Sequence, residues 1–352
     1  MLNKLISMLP KNVDGVLIIS ETNRRYFTSF RSSDGILLVT KNGSVFLTDS
    51  RYIEEAQNTI KCCEVAELKK ASEQLPELCK KFGCRTLMVE SDRLTVSQHK
   101  AYRKVLKGIL LTTVGTDKLI DELRMVKREY EIDSVVKAQR IAEKAYDHIL
   151  GFIKEGVTEH EIALELDFFM LKNGAEAISF ETIAISGANT SKPHGVPTDK
   201  KVCRGDFVTM DYGAVVNGYH SDMTRTVAVG SVCDEQVRVY NTVLEAQLKA
   251  LAVLKEGVKC SDADKAARDF INENGYGEFF RHSTGHGVGL EIHEKPNLAP
   301  RSDLILKAGN IVTVEPGIYI PGKFGVRIED MATITKFGCE NLTKISKKLA
   351  IL

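Results

Sequence analysis

The sequence predicts an α/β protein of two domains, and three observations carry that prediction. Its 352 residues exceed the roughly 250–300 at which a single hydrophobic core stops growing. The first part of the chain, residues 1–116, alternates strand-like and helix-like segments, the pattern of a small mixed-sheet domain. The rest, residues 117–352, opens with two long helical stretches and then turns to short strands joined by Gly-rich turns, an α+β organisation of a different kind. The boundary is therefore expected near residues 112–120.

Composition narrows the function classes. The chain is 43% hydrophobic and 27% charged with a formal net charge of +1, so nothing argues for a nucleic acid or an anionic membrane surface as partner. No run of about 18 apolar residues is present, so no membrane-spanning helix is expected. Met1 to Pro10 lacks the long apolar stretch and small-residue cleavage site of a secretion signal and is read as a first helix ended by Pro10. The eight cysteines are scattered without a Cys-x-x-Cys, which fits reduced thiols and a cytoplasmic protein.

In chain order, Val13–Ser20 reads as a strand and the residues around Tyr26, Phe27 and Phe30 as a short helix and loop. Gly35–Thr40 and Ser44–Thr48 flank Lys41-Asn42-Gly43, a hairpin signal. Ser50 is a candidate cap for a helix starting at Arg51. Thr86–Glu90 reads as a strand and Ser97–Lys107 as an amphipathic helix. Two long helices are expected over 117–155, the second ending near Gly151. Thr158 with Glu161 forms a capping box for another. The basic Thr343–Lys348 is read as a solvated tail.

Three stretches carry chemistry. The first, Val208 to Thr226, reads as a hairpin closed by Asn217-Gly218, the signal of a two-residue type I′ turn. That turn pairs Asp211 with Thr224 and Gly213 with Asp222, so Asp211 and Asp222 form a diagonal pair on one face, about 7–8 Å apart at Cα. With no Lys or Arg between them on that face, a cation would relieve their repulsion. The second stretch, Arg281 to Glu294, holds His282, His286 and His293 among glycines that permit tight backbone and close approach of a metal or substrate. The third runs from Asn310 to Asp330. Glu315 closes an apolar strand, where an unpaired carboxylate is costly, and strand alternation puts Arg327 and Glu329 on one face. Asp211, Asp222, His286, Glu315 and Glu329 are thus the candidate metal ligands. Four carboxylates and an imidazole suit two divalent ions, Mn²⁺ first, with Co²⁺ or Zn²⁺ as alternatives. Two such ions can bridge and activate one water for hydrolysis.

With these stretches in hand, the chain resembles the pita-bread metallopeptidases of the proline-specific branch, prolidase and aminopeptidase P. The resemblance rests on Asp211-Tyr212-Gly213, Ser221-Asp222-Met223-Thr224-Arg225-Thr226, Thr284-Gly285-His286-Gly287-Val288-Gly289, His293-Glu294, Val314-Glu315-Pro316-Gly317 and Val326-Arg327-Ile328-Glu329-Asp330, in that order. Weaker matches, Asn23-Arg24-Arg25-Tyr26-Phe27 and Thr48-Asp49-Ser50-Arg51-Tyr52, make residues 1–116 similar to the creatinase/prolidase N-terminal domain.

The resemblance implies hydrolysis of an Xaa-Pro bond at the N-terminus of short peptides by a metal-bridging hydroxide. Asp211 and Glu329 would contact both metals, Asp222 one, and His286 and Glu315 the other. Glu315 would also carry the proton to the leaving amine. His194 would lie on the substrate side, a place that rests on the resemblance alone. His293 would steady the tetrahedral intermediate, His282 would stand near the proline end, and Arg327 would orient Asp211 or the substrate. A homodimer is implied as well. Two alternatives are weighed against this: a methionine aminopeptidase, which uses the same five-ligand logic, and a non-catalytic pita-bread scaffold. The extra N-terminal domain and Arg327 oppose the first, and the complete ligand set opposes the second.

Overall fold

Aliphatic and β-branched runs punctuated by turn residues give the first part of the chain its sheet. A computed structural model describes residues 1–352 and divides them into two units, Met1–Arg124 and Met125–Leu352. In the first unit, β1 (Gly15–Ile18), β2 (Ile36–Thr40), β3 (Gly43–Thr48), β4 (Glu64–Glu67), β5 (Thr86–Val89) and β6 (Leu110–Thr112) form one sheet in the order β4-β3-β2-β1-β5-β6. Its β1–β2 and β2–β3 pairs are antiparallel and the others parallel, a mixed sheet. Helices α1 (Leu2–Met8), α2 (Glu21–Thr28), α3 (Ile53–Thr59), α4 (Ala71–Lys81), α5 (Val96–Val105) and α6 (Thr116–Met125) accompany it. The units divide at the last residue of α6, whereas the sequence places the change of character near its start. The end of α6 is tied to α2, because Tyr26 donates to the Leu123 carbonyl and Arg124 to the Asn23 side chain.

The second unit repeats one theme twice. The helices α7 (Glu129–Leu150) and α8 (Glu159–Lys172) lie in one core with β8 (Ile183–Ser186), β9 (Phe207–Tyr212), β10 (Ala214–Val216) and β12 (Met223–Ala228), packing Ala142, Ile149, Leu166 and Met170 with Met210 and Met223. The helices α9 (Asp234–Val253) and α10 (Cys260–Glu273) lie in a second core with β15 (Ile311–Val314), β16 (Gly317–Ile320), β17 (Phe324–Arg327) and β18 (Asp330–Ile334). Around these, β7 (Ala177–Ile178), β11 (Tyr219–His220), β13 (Gly285–Gly287), β14 (Glu294–Leu298) and β19 (Cys339–Asn341) complete sheets ordered β11-β10-β7, β12-β9-β8 and β14-β13-β15-β18-β19, with β16 paired to β17. No helix is long and apolar enough to cross a membrane.

Several local expectations hold to the residue. Thr158 and Glu161 make a reciprocal capping box on α8, and Gly151 is the C-cap of α7. Asn217 and Gly218 both have positive φ, 53° and 78°, as a type I′ turn requires.

Other expectations need correction. The helix after Ser50 begins at Ile53 rather than Arg51, because Asp49 accepts the Arg51 N–H and holds that backbone in a turn. The helices α9 and α10 interrupt the region read as short strands. Their buried stripes, Val239, Tyr240, Val243, Ala246 and Ala250, then Cys260, Ala263, Ala267 and Ile271, have helical spacing but are rich in small residues, which weakens the apolar signal. The basic tail is not solvated throughout. Lys347 reaches Gln247 and Asp330, Arg225 donates to the carbonyls of Ile345 and Ser346, and Ala350 and Leu352 pair with the backbone at Ala228 and Gly230.

Candidate metal centre and its cavity

The hairpin from Phe207 to Ala228 keeps the expected register, with Thr224 facing Asp211 and Val216 facing Tyr219. It does not run as one ladder. A Cβ at Gly213 would stand 1.9 Å from the Ser221 carbonyl oxygen, so the arms approach there as only glycine allows. The ladder breaks into β9–β12 and β10–β11, and Asp222 leaves from the break, just before β12.

The glycines of the second stretch act differently from the sequence expectation. They do not make room for a ligand; they let β13 lie between its neighbours. A Cβ at Gly285 would meet the Thr313 carbonyl at 2.0 Å, one at Gly287 the Lys295 carbonyl at 2.4 Å, and one at Gly289 the Glu294 carboxylate at 2.3 Å. His286 is thereby fixed against β15. Its N–H donates to Thr313 Oγ1 at 3.0 Å, and that hydroxyl donates to Glu315 Oε1 at 3.1 Å. One threonine thus sets two of the candidate ligands.

All nine residues singled out in the sequence, His194, Asp211, Asp222, His282, His286, His293, Glu315, Arg327 and Glu329, line one cavity of about 540 Å³. Ligand atoms of Asp222, His286 and Glu329 lie within 4.8 Å of one another. His286 Nε2 is 3.5 Å from Asp222 Oδ2 and 3.3 Å from Glu315 Oε1. These short approaches are not ion pairs. Burial holds the His286 imidazole below its usual pKa, while burial and then Glu329, Asp211 and Glu315 push the Asp222 carboxyl well above the carboxylate range. Glu329 is raised in the same way by burial, Glu315 and Asp211, and burial pushes Glu315 up to about 7. Without a cation the cluster favours neutral groups.

The oxygens not facing the cluster are tied down. Arg327 Nη2 donates to Asp211 Oδ2 at 2.7 Å, and Thr224 donates to Glu329 Oε2 at 2.8 Å. The other oxygen of each, Asp211 Oδ1 and Glu329 Oε1, is buried with no hydrogen-bond partner. Two orphaned carboxylate oxygens are costly, and together with an imidazole nitrogen and further carboxylates they fit hard or borderline divalent cations. Arg327 pairs with Asp211 rather than with Glu329, and β17 ends at Arg327, so the two acids at 329 and 330 are not on a continuous strand with it.

Hydrogen-bond logic fixes the protons of His282. Its Nδ1 lies 2.8 Å from the Ser283 carbonyl, which only accepts, so Nδ1 carries the hydrogen. Burial lowers its pKa to about 4, so Nε2 is an acceptor, and the Tyr319 hydroxyl at 2.9 Å donates to it. Tyr319 in turn accepts from Arg327 Nη1 at 3.0 Å. His282 therefore has both nitrogens engaged and offers the cavity its ring. His293 lies against His286 with the rings tilted and their centroids 4.3 Å apart, and His194 is exposed on the loop after the 3-10 turn Gly187–Ser191.

Several supporting residues escape sequence reasoning. Tyr319 is one, visible only as a lone hydroxyl in an apolar strand. Glu159, fully buried, accepts from Ser186 N–H and O–H through Oε1 and from Thr198 N–H and O–H through Oε2, clamping both ends of the segment that carries His194. Asp264 accepts from Thr284 N–H and O–H and from Arg268, fixing the start of β13. Nothing local marks such acids as clamps, because their partners are remote in sequence.

Comparison with known proteins agrees with this geometry. Residues 133–336 match the model of metallopeptidase family M24, and residues 5–126 that of the creatinase/prolidase N-terminal domain. A structure described as an Xaa-Pro dipeptidase from Bacillus anthracis is 44% identical, with a TM-score of 0.96 over 100% of this chain and 99% of that one. An X-Pro aminopeptidase structure from Thermotoga maritima is 37% identical, with a TM-score of 0.93 over 100% and 99%. The Xaa-Pro dipeptidase of Pyrococcus horikoshii is 38% identical over 98% of this chain and 97% of its own length.

Proposed function

The chain belongs to metallopeptidase family M24, and from that premise we propose that it is a metal-dependent exopeptidase that cleaves Xaa-Pro bonds at the N-terminus of short peptides. The observation that carries this reading is the pair of buried, partnerless oxygens, Asp211 Oδ1 and Glu329 Oε1, in a cavity that also gathers Asp222, His286 and Glu315. We propose that these five residues hold two divalent ions, with Mn²⁺ as the working metal. Ions held there supply Lewis acidity and an activated water.

The protein's own groups do the rest. Arg327 and Thr224 each hold one oxygen of Asp211 and Glu329, so the other oxygen stays aimed inward. Glu315, raised by burial to about 7 in the metal-free site, is the group suited to take a proton and pass it to the departing proline nitrogen. His293, beside His286, is placed to donate to the carbonyl oxygen as it gains charge. His194 contacts the substrate from its loop. The ring of His282, with both nitrogens occupied, offers a wall without polar demand. That suits proline, whose amide nitrogen has no hydrogen to donate.

The family relatives named as dipeptidase and aminopeptidase support this substrate class. We further propose a homodimer, which light scattering would reveal at micromolar concentration. We also propose a cytoplasmic location, which eight cysteines without a disulfide support. The test is hydrolysis by chelated protein and by Mn²⁺-reloaded protein of Ala-Pro and Ala-Pro-Ala, with Ala-Ala-Ala as control. Cleavage is expected at the bond before proline alone, and only with metal. Removal of methionine from Met-Ala-Ala with both proline peptides untouched would instead make the protein a methionine aminopeptidase. Loaded metal with no cleavage of any peptide would leave the scaffold reading.

A further inference from the structure

A free Xaa-Pro dipeptide ends in a carboxylate one residue past the bond to be cut, whereas a longer peptide has a neutral amide there and carries its terminal charge outward. The cavity lining is poorly equipped for that carboxylate. It contains five acids, Glu181, Asp211, Asp222, Glu315 and Glu329, one arginine, and no lysine. The arginine is already committed. Arg327 donates through Nε to Thr224 Oγ1 at 3.0 Å, through Nη1 to the Pro193 carbonyl at 3.1 Å and the Tyr319 hydroxyl at 3.0 Å, and through Nη2 to Asp211 at 2.7 Å.

Two divalent ions would not supply the missing charge, because the four ligand carboxylates offset them charge for charge. Glu181, exposed in the lining, then offsets the charge of Arg327, so the lining keeps no net positive charge. The histidines do not restore a preference either. His282 has both ring nitrogens engaged, with the Ser283 carbonyl and the Tyr319 hydroxyl. A carboxylate taken from water into this cavity meets no uncommitted cation, which is costly.

Given the Xaa-Pro activity proposed above, on which this rests, we infer that the cavity selects peptides of three or more residues over free Xaa-Pro dipeptides, because its wall lacks an uncommitted cation for a carboxylate beyond the proline. The protein then acts mainly as an aminopeptidase.

The test offers the Mn²⁺-loaded full chain Ala-Pro, its carboxamide Ala-Pro-NH2, and Ala-Pro-Ala. The carboxamide differs from the dipeptide by one neutralised group of the same shape. Its kcat/KM and that of the tripeptide are expected to exceed the dipeptide's at least tenfold, which is about 1.4 kcal/mol. Dipeptide cleaved as fast as its carboxamide overturns the inference and leaves the Xaa-Pro reading standing; no cleavage of any of the three removes both. A variant supplies the missing cation directly. Asn297, exposed on β14 in the lining, becomes Asn297→Lys, and the carboxamide-to-dipeptide ratio is expected to fall toward one. An unchanged ratio in that variant overturns the electrostatic account.

Discussion

Glu329 and Asp330 are adjacent, both buried, at 1% and 0% exposure, and they behave in opposite ways. Asp330 faces Arg225, Lys347, Gln247 and Asn341, with hydrogen bonds on both oxygens. Burial alone would raise its pKa, but Arg225 and Lys347 hold it below the usual range. Glu329 faces Glu315, Asp211 and Asp222, has one oxygen without a partner, and is held far above the usual range. Burial is the same for both; the neighbours differ. A buried acid saturated with donors is a fastening, and a buried acid among other acids with an open oxygen has the features of a candidate cation ligand. Glu159 and Asp264 fall on the Asp330 side of this division, Asp211 on the Glu329 side.

The comparison can be broken by neutralising each acid in turn. Glu329→Gln is expected to lower kcat/KM by about 10⁴-fold, roughly 5.5 kcal/mol, with loss of bound metal by elemental analysis. The melting point of its chelated form should not fall, since the amide is neutral like the carboxyl that burial and Glu315 favour there. Asp330→Asn should do the reverse in kind. It strands Arg225 and Lys347 in the interior and costs about 3 kcal/mol of stability, read by denaturant unfolding of the chelated protein. Equal loss of stability in both variants would erase the distinction.

The third prediction uses pH and has the smallest effect. Glu315 has a folded pKa raised to about 7 against an ordinary 4.5. Its contribution is therefore full below pH 4.5 and lost as pH rises through about 7. Chelated wild type and chelated Glu315→Gln should melt together near pH 4.5. Above pH 7 the variant should melt a few degrees higher. A difference that shrinks as pH rises would show that Glu315 is held ionised by its neighbours.

Much of this was legible in the chain. Asn217-Gly218 fixed the hairpin register, because a two-residue turn and the period of a strand are local properties. That was enough to bring Asp211 and Asp222 to one cavity, although the ladder breaks at Gly213 between them. The capping box at Thr158 and four of the first unit's six strands were equally local. The helices α9 and α10 were not read, although their spacing was present, because alanine and cysteine carry a weak apolar signal. The glycines around His286 were seen but given the wrong neighbour, since only the packed sheet shows that the carbonyls of Thr313 and Lys295 stand where a Cβ would be.

The sequence by itself determined which donor atoms exist and how the near ones are ordered along the strands. It therefore determined the candidate ligand set and the metallopeptidase chemistry that such a set would support. Only the tertiary structure decided which oxygens are tied and which are open. Asp211 meets Arg327 across 116 residues of chain, and Glu329 meets Thr224 across 105. No local periodicity reports such contacts. They arise when separate sheets pack together, and burial then makes every remaining partner, or its absence, count.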